Sequence, residues 1–295
     1  MRQLYYIVAS MRPWQWTKNL VVFAGLVFSR NVGDRELLVL TVEALAVFCL
    51  LSGVIYLVND IADLEKDRLH EDKRSRPLPS GRLGVPAAAT AATVLAAIGI
   101  VAAQRIGPGF LVTASAFLAL NLVYSFVLKR AALLDVVSIA VSFILRAIGG
   151  VEALRSVDPS IEISPWLLIC TLFLALFLAF CKRRHELITL ADAANHRESL
   201  SEYSPALLDQ LVGMTAAGSV LAYAIYTIWP DTVEKFGTTN LVYTIPLVLL
   251  GVMRYLYLVY NKQKGGNPSK LLLEKFLLID VLAWMALVVA IVGGF

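Results

Sequence analysis

The sequence contains little charge and few cysteines. Only 16% of its 295 residues are Asp, Glu, Lys or Arg, whereas 58% are hydrophobic, and the mean hydropathy is +0.72. Soluble domains carry about 25% charged residues, so this composition excludes an ordinary soluble fold. Apolar runs recur along the whole chain and not at one end. The composition therefore predicts an all-α, polytopic membrane protein with a single integral membrane domain over residues 1–295.

The cysteines and the N-terminus exclude two further classes of protein. Cys49, Cys170 and Cys181 lie within or beside apolar runs and show no C-x-x-C spacing, so we interpret them as packing residues and not as a disulfide scaffold. Residues 1–18 lack the apolar run and small-residue cleavage site of a removable signal peptide. The net charge of +4 is modest, so no nucleic acid partner is expected, whereas membrane lipids are.

Apolar runs bounded by charges, Pro or Gly predict membrane spans, since a helix needs about 20 such residues to cross a bilayer. Nine spans are predicted, at residues 19–29, 37–62, 86–104, 108–128, 133–152, 165–181, 207–229, 240–261 and 271–294.

Lys and Arg are concentrated before the first span and in the loops that an even number of spans separates from it. The most strongly basic of these loops are residues 63–85 and 182–206. Because cytoplasmic loops carry an excess of Lys and Arg, we predict a cytoplasmic N-terminus, an external C-terminus and insertion in the cell membrane.

The second span ends in the pattern N-D-x-x-D-x-x-x-D, formed by Asn59, Asp60, Asp63 and Asp67. On one continuous helix the three aspartates fall within about 60° of one another, on a single acidic face. An all-oxygen ligand set suits Mg²⁺, which commonly bridges carboxylates and phosphates. The alternative is solvated charge at a helix end, but acids there oppose the helix dipole. We therefore predict that the three aspartates, helped by Asn59, are catalytic and hold Mg²⁺ for a diphosphate substrate.

Basic residues follow this motif on a chain made stiff by Pro77 and Pro79. Lys73, Arg74 and Arg76 are suited to bind phosphate oxygens, although the positive-inside signal alone also requires basic residues here. Arg146 lies far inside an apolar span, and a charge in that environment is a functional candidate by default.

Together these residues resemble the UbiA-type intramembrane prenyltransferase superfamily, whose first aspartate motif reads N-D-x-x-D-x-x-x-D. Residues 12–19, R-P-W-Q-W-T-K-N, are similar to its N-terminal segment, and residues 124–130, Y-S-F-V-L-K-R, to its tyrosine-lysine motif. The resemblance covers nearly the whole chain. It implies nine helices in a bundle with a central cavity open to the cytoplasm, and substrate-binding roles for Lys18, Tyr124 and Lys129.

The sequence departs from the aromatic prenyltransferases of that superfamily at their second aspartate motif, D-x-x-x-D. Lys182, Arg183 and Glu186 stand there instead; Glu198 and Glu202 have the spacing of a substitute acidic pair, and their role is left open. The departure resembles the branch of decaprenyl-phosphate phosphoribosyltransferases.

That branch implies transfer of a phosphoribosyl group from phosphoribosyl diphosphate to a polyprenyl phosphate, with Mg²⁺, for precursors of cell-wall arabinan. It also implies that Lys182, Arg183 and Glu186 join the other basic residues in substrate binding. One alternative is an aromatic prenyltransferase that uses an isoprenyl diphosphate; a transporter or channel is a third class. A homo-oligomer is left open.

Overall fold

A computed structural model of the chain describes residues 2–29, 33–69, 73–189, 198–263, 265–266 and 268–293. Within these ranges the regular structure is entirely helical, without strands. The all-α prediction is confirmed.

Eight helices in the described ranges are long and apolar enough to cross a membrane. They are α1 (Arg35–Ala62), α2 (Val85–Ile106), α3 (Pro108–Phe126), α4 (Leu134–Arg155), α5 (Pro165–Thr189), α6 (Pro205–Ile228), α7 (Ile245–Asn261, preceded by the 3₁₀ turn Asn240–Thr244) and α8 (Lys275–Gly293). Each corresponds to one of the predicted spans.

The first predicted span, residues 19–29, is not among these helices. Its region forms a 3₁₀ helix at Pro13–Val22 followed by a six-residue α-helix at Phe23–Phe28. We call residues 11–28 the N-terminal segment. A stretch of eleven residues is too short to cross a bilayer as one helix, and the count of nine spans is not confirmed.

Helix α5 continues past its predicted end at residue 181. It runs to Thr189, so Lys182, Arg183 and Glu186 lie on a helix and not in the expected loop. Their spacing explains the extension: Arg183 donates to Glu186 at 2.5 Å and Lys182 pairs with Glu186 at 3.6 Å, as neighbours one helical turn apart do. Hydropathy alone ends a span at its first charges and misses such pairs.

The acidic motif does not lie on one continuous helix, as the sequence interpretation assumed. Helix α1 ends at Ala62, Asp63 adopts a non-helical conformation with φ −101° and ψ 11°, and Leu64–Leu69 forms a separate short helix. Asp63 N still donates to the Asn59 carbonyl at 2.9 Å. The break directs Asp63 and Asp67 towards different partners.

The helices are grouped in two compact units. The first comprises the described chain up to Ile163 together with Glu198 and Ser199, and the second comprises Ser164–Thr189 and the described residues from Leu200 onward. The single membrane domain over residues 1–295 stays a prediction.

In the first unit an aromatic core fixes α1 and α3 against each other. The Phe48 ring packs edge-on against Phe110 and Phe117, with centroids 5.5 and 5.2 Å apart, and all three side chains are fully buried. Edge-to-face packing of this kind stabilises aromatic pairs beyond their burial.

Glycines allow the N-terminal segment to lie directly on the helices of this unit. A Cβ atom on Gly150 of α4 would lie 2.1 Å from the Val22 carbonyl oxygen, and one on Gly53 of α1 would lie 2.5 Å from Met11. Only a glycine at 150 permits this contact between two backbones.

We expect Gly150→Ala to lower the free energy of unfolding by about 1–3 kcal/mol, because the new methyl group overlaps a main-chain oxygen. The measurement is the thermal unfolding midpoint in detergent. Gly213→Ala on α6 is the matched control, since nothing lies within 4 Å of its Cβ position. Equal midpoints for the two variants would contradict the close contact.

Candidate active site

An apolar cluster in the first unit positions the charged residues of the candidate site. It contains Met11, Leu57, Leu78 and Leu83, each no more than 6% exposed, together with Val54, Ala88 and Ala92. Met11 immediately precedes Arg12, Leu57 lies one turn before Asp60, and Leu78 follows Arg76 by two residues. Burial of these neighbours brings the three charged side chains to one place.

The loop after the acidic motif is folded tightly by its own backbone hydrogen bonds. Ser80 N donates to the Arg76 carbonyl at 3.0 Å, and Leu83 N donates to the Pro77 carbonyl at 2.9 Å. Gly81 has a φ of 77°, a conformation that a side chain would strain. The loop therefore presents Arg76 from a fixed backbone.

Asp60 is the buried centre of the site, with a side chain only 3% exposed. Its Oδ1 accepts a hydrogen bond from Arg12 Nη2 and lies 3.5 Å from Arg76 Nη1. Its Oδ2 is buried and has no hydrogen-bond partner among the residues that the structure describes. A buried carboxylate oxygen without a partner is costly, so this atom is an acceptor in need of a ligand.

Asp67 and Asp63 have separate cationic partners. Asp67 Oδ2 accepts from Arg76 at 2.8 Å, and its Oδ1 lies 3.2 Å from Lys73 Nζ. Asp63 Oδ1 accepts from Lys129 Nζ at 2.6 Å. Arg76 thus joins Asp60 to Asp67, whereas Asp63 belongs to the side of the site formed by the turn Leu128–Arg130.

Among the residues that the structure describes, cations outnumber carboxylates at this site, with Arg12, Lys73, Arg76 and Lys129 set against three aspartates. Burial lowers the pKa of Arg76, the neighbouring Arg12 lowers it further, and Asp60 and Asp67 oppose the shift. A guanidinium remains protonated in proteins in spite of such a shift. The cluster therefore carries a surplus positive charge suited to an anion.

The donor set fits Mg²⁺ in chemistry. Asp60 and Asp67 both contact the single nitrogen Arg76 Nη1, so one cation can face both carboxylates, and Asp60 Oδ2 offers a further oxygen. In the described part of the chain, however, no three His, Cys, Asp or Glu side chains are grouped as metal ligands. Only two of the three predicted aspartates share a cationic partner.

Deeper in the same unit lies a fifth cation, Arg146, in the middle of α4. Its Nε donates to Asn19 Oδ1 at 2.6 Å, its Nη1 donates to the carbonyl and hydroxyl of Ser142 at 3.0 Å, and Phe117 and Phe143 face its guanidinium. Among the residues that the structure describes, no carboxylate forms an ion pair with it. A buried cation without an anion is unfavourable, which marks Arg146 as a candidate anion site.

The other predicted site residues of the first unit differ in their exposure to solvent. Asn59 is half-buried on α1, Lys18 is half-buried on the 3₁₀ helix of the N-terminal segment, Tyr124 is half-buried on α3, and Arg74 is exposed.

In the second unit, Lys182, Arg183 and Glu186 form one charged group on α5, and Arg183 is only 1% exposed. Glu198, which belongs to the first unit, begins a 3₁₀ helix that ends at Glu202 in the second unit. The substrate-binding roles of Lys182, Arg183 and Glu186 stay predictions.

Arg12 is the functional candidate that the sequence interpretation left unassigned. The motif R-P-W-Q-W-T-K-N contains it, but nothing in a local pattern indicates that its partner is Asp60, 48 residues away. The one signal in the sequence is the position of this arginine directly before Pro13, at the start of the motif.

Known proteins agree with this architecture. The sequence pattern of the UbiA prenyltransferase family matches residues 19–292. A decaprenyl-phosphate phosphoribosyltransferase of Mycobacterium tuberculosis is 31% identical over 292 residues, which cover 97% of this chain and 94% of that protein. A protein of the same name from Corynebacterium glutamicum is 32% identical over 292 residues, 96% of this chain and 85% of that protein.

Among solved structures, a UbiA homolog from Archaeoglobus fulgidus bound to GPP and Mg²⁺ has the same fold. The two share a TM-score of 0.72 over 98% of this chain and 99% of that chain, at 17% identity. Since the family pattern covers almost the whole chain and the fold agrees, this chain belongs to the UbiA prenyltransferase family and is an integral membrane transferase of that type.

Proposed function

We propose that this transferase moves a 5-phosphoribosyl group from phosphoribosyl diphosphate to the phosphate of a long polyprenyl phosphate. A phosphate oxygen of the lipid forms a bond to the anomeric carbon of the ribose, and the bond from that carbon to diphosphate breaks. Diphosphate leaves with the electron pair. The product is a lipid-linked phosphoribose, the class of compound from which cell-wall arabinan precursors are made.

The excess of cations over carboxylates carries this proposal. Four basic side chains contact the three aspartates, and a fifth, Arg146, is buried in the span beneath them. An isoprenyl diphosphate has phosphate at one end and an apolar tail at the other, so it needs fewer cations. Relatives 31% and 32% identical, named decaprenyl-phosphate phosphoribosyltransferases, support the same substrate pair.

Asp60, Asp67 and Asp63, with Asn59, would hold Mg²⁺ in this reaction, as the Mg²⁺ bound to the A. fulgidus homolog suggests. Bound Mg²⁺ neutralises the charge that develops on the diphosphate leaving group. Lys73, Arg76 and Lys129 then donate hydrogen bonds to its oxygens. Lys18, Arg74 and Tyr124 complete the predicted substrate contacts.

The depth of Arg146 favours a substrate that carries phosphate at two separate positions. Through Asn19 it is linked to Ser52, which lies eight residues before Asp60 on α1, a rise of about 12 Å. A ribose with phosphate on both sides presents anionic oxygens to the cations that lie against Asp60 and to Arg146. An isoprenyl tail presents none to Arg146.

The acceptor needs no general base, because a lipid phosphate is already an anion at neutral pH. Lys182 and Arg183, oriented by Glu186, are suited to bind phosphate oxygens of one of the two substrates. We place the N-terminus and the site on the cytoplasmic side of the cell membrane, where the basic loops are concentrated.

We expect the purified protein, given Mg²⁺, phosphoribosyl diphosphate and decaprenyl phosphate, to form a lipid-linked phosphoribose. Thin-layer chromatography with labelled phosphoribosyl diphosphate measures the product. Parallel reactions supply geranyl diphosphate with an aromatic acceptor. Turnover of geranyl diphosphate without any phosphoribosyl product would identify an aromatic prenyltransferase instead.

Asp60→Asn should reduce turnover about 100-fold or more, because it removes a charge that faces the metal and leaves the fold intact. Steady-state kinetics with a matched unfolding midpoint measure the effect. Glu65→Gln is the control, since Glu65 is exposed and, among the described residues, pairs only with Arg68, at 2.8 Å. Full activity of Asp60→Asn would exclude the proposed metal role.

Arg146→Gln should raise the KM for phosphoribosyl diphosphate roughly tenfold, because it removes a charge-assisted contact to the second phosphate. The KM for decaprenyl phosphate should change little. Arg155→Gln at the exposed end of α4 is the control. A loss of stability with an unchanged KM would assign Arg146 to the folding of α4 against the N-terminal segment.

A further inference from the structure

Arg12 forms an ion pair with Asp60, a carboxylate that is also a proposed ligand of the metal. Its Nη2 donates to Asp60 Oδ1, while the guanidinium carbon lies 4.9 Å from the centre of the Tyr56 ring. The Asp60 side chain is 3% exposed and the Arg12 side chain 19% exposed, so water screens this ion pair only weakly. Arg12 is thus a built-in counter-ion on the buried side of the site.

The backbone holds Arg12 in an unfavourable conformation to make this contact. Arg12 has φ 53° and ψ 64°, in the left-handed region that residues with a side chain rarely adopt. Hydrogen bonds fix it on both sides, from Arg12 N to the Ala9 carbonyl at 3.2 Å and from Gln15 N to the Arg12 carbonyl at 2.8 Å. Strain of this kind persists where the surrounding contacts enforce it, commonly at functional sites.

Charge decides what the site binds. With Arg12 in place, four cations face three carboxylates in the described part of the chain, so free Mg²⁺ would add two positive charges to a group of side chains that is already positive. Magnesium diphosphate brings its own negative charge and avoids that repulsion.

We infer that Arg12 is a substrate-binding residue that exchanges partners. It releases Asp60, which then binds the metal, and it donates hydrogen bonds to the diphosphate instead. In the absence of substrate its guanidinium neutralises Asp60 and disfavours free Mg²⁺. When magnesium diphosphate binds, Asp60 would serve as a ligand of the metal, and the Nη groups of Arg12 would donate hydrogen bonds to diphosphate oxygens. This inference rests on the proposed magnesium diphosphate site but not on which group is transferred.

The test uses the full chain in detergent and two probes, Mg²⁺ alone and Mg²⁺ with inorganic diphosphate, each titrated by calorimetry. Arg12→Gln should bind Mg²⁺ alone roughly tenfold more tightly than the wild type, because a competing charge has gone. The same variant should bind diphosphate in the presence of Mg²⁺ roughly tenfold more weakly, because two donors have gone.

These opposite shifts separate the inference from a structural role. A residue that only supports the fold would weaken both affinities or neither. Arg12→Lys keeps the charge but not the forked donors, so its affinity for Mg²⁺ alone should stay near the wild type and its diphosphate affinity should fall.

Arg82→Gln is the matched control. Arg82 is also an arginine stacked on a tyrosine, with its guanidinium 5.8 Å from the Tyr6 ring centre, but it donates to the Ser75 carbonyl and to Ser80, not to a carboxylate. Both affinities should match the wild type.

A double-mutant cycle places the effect at Asp60. In an Asp60→Asn background, Arg12→Gln should no longer tighten Mg²⁺ binding, because the shared carboxylate is gone. Unchanged or weaker Mg²⁺ binding by folded Arg12→Gln would overturn the inference, and so would unchanged diphosphate binding. Because diphosphate is a product of either candidate transfer, these results do not depend on the phosphoribosyl assignment.

Discussion

A buried carboxylate at the end of a membrane-spanning helix is the constraint on which this structure depends. Asp60 is the last charged residue of α1, and its burial is tolerable only when cations lie against it. Each neighbouring piece of chain supplies one. The N-terminal segment brings Arg12 and the folded loop after the acidic motif brings Arg76, so the packing of two irregular segments is tied to the ionisation of a single side chain.

The polar groups of the first unit lie at two depths, whereas a site that binds only a metal ion would need a single group of ligands. Carboxylates and a larger number of cations lie near the end of α1, whereas Arg146 lies about two helical turns deeper and has only neutral hydrogen-bond partners in the described part of the chain. Asn19 connects Arg146 to Ser52 and therefore to the face of α1 that leads to Asp60. A ligand that is anionic at both ends matches this arrangement, and one with an apolar tail does not.

Local sequence patterns were sufficient to predict the eight membrane-spanning helices and insufficient to predict which residues pair at the site. Hydropathy is a property of consecutive residues, so eight spans and the acidic motif at the end of α1 could be predicted. The partners could not, because Arg12 and Asp60 lie 48 residues apart, Asp63 and Lys129 lie 66 apart, and Asn19 and Arg146 lie 127 apart. The break at Asp63 was missed for the same reason. Its carboxylate pairs with Lys129, which lies near it only in the folded chain.

The contact between Gly150 and Val22 has a consequence for how sequences of this kind can diverge. Nothing except main-chain atoms separates α4 from the N-terminal segment at this point, since even a methyl group would overlap the Val22 carbonyl oxygen. The distance is therefore independent of side-chain volume. Apolar residues on either side can be exchanged for larger or smaller ones over generations, while the chemistry carried by the segment stays in register with α1.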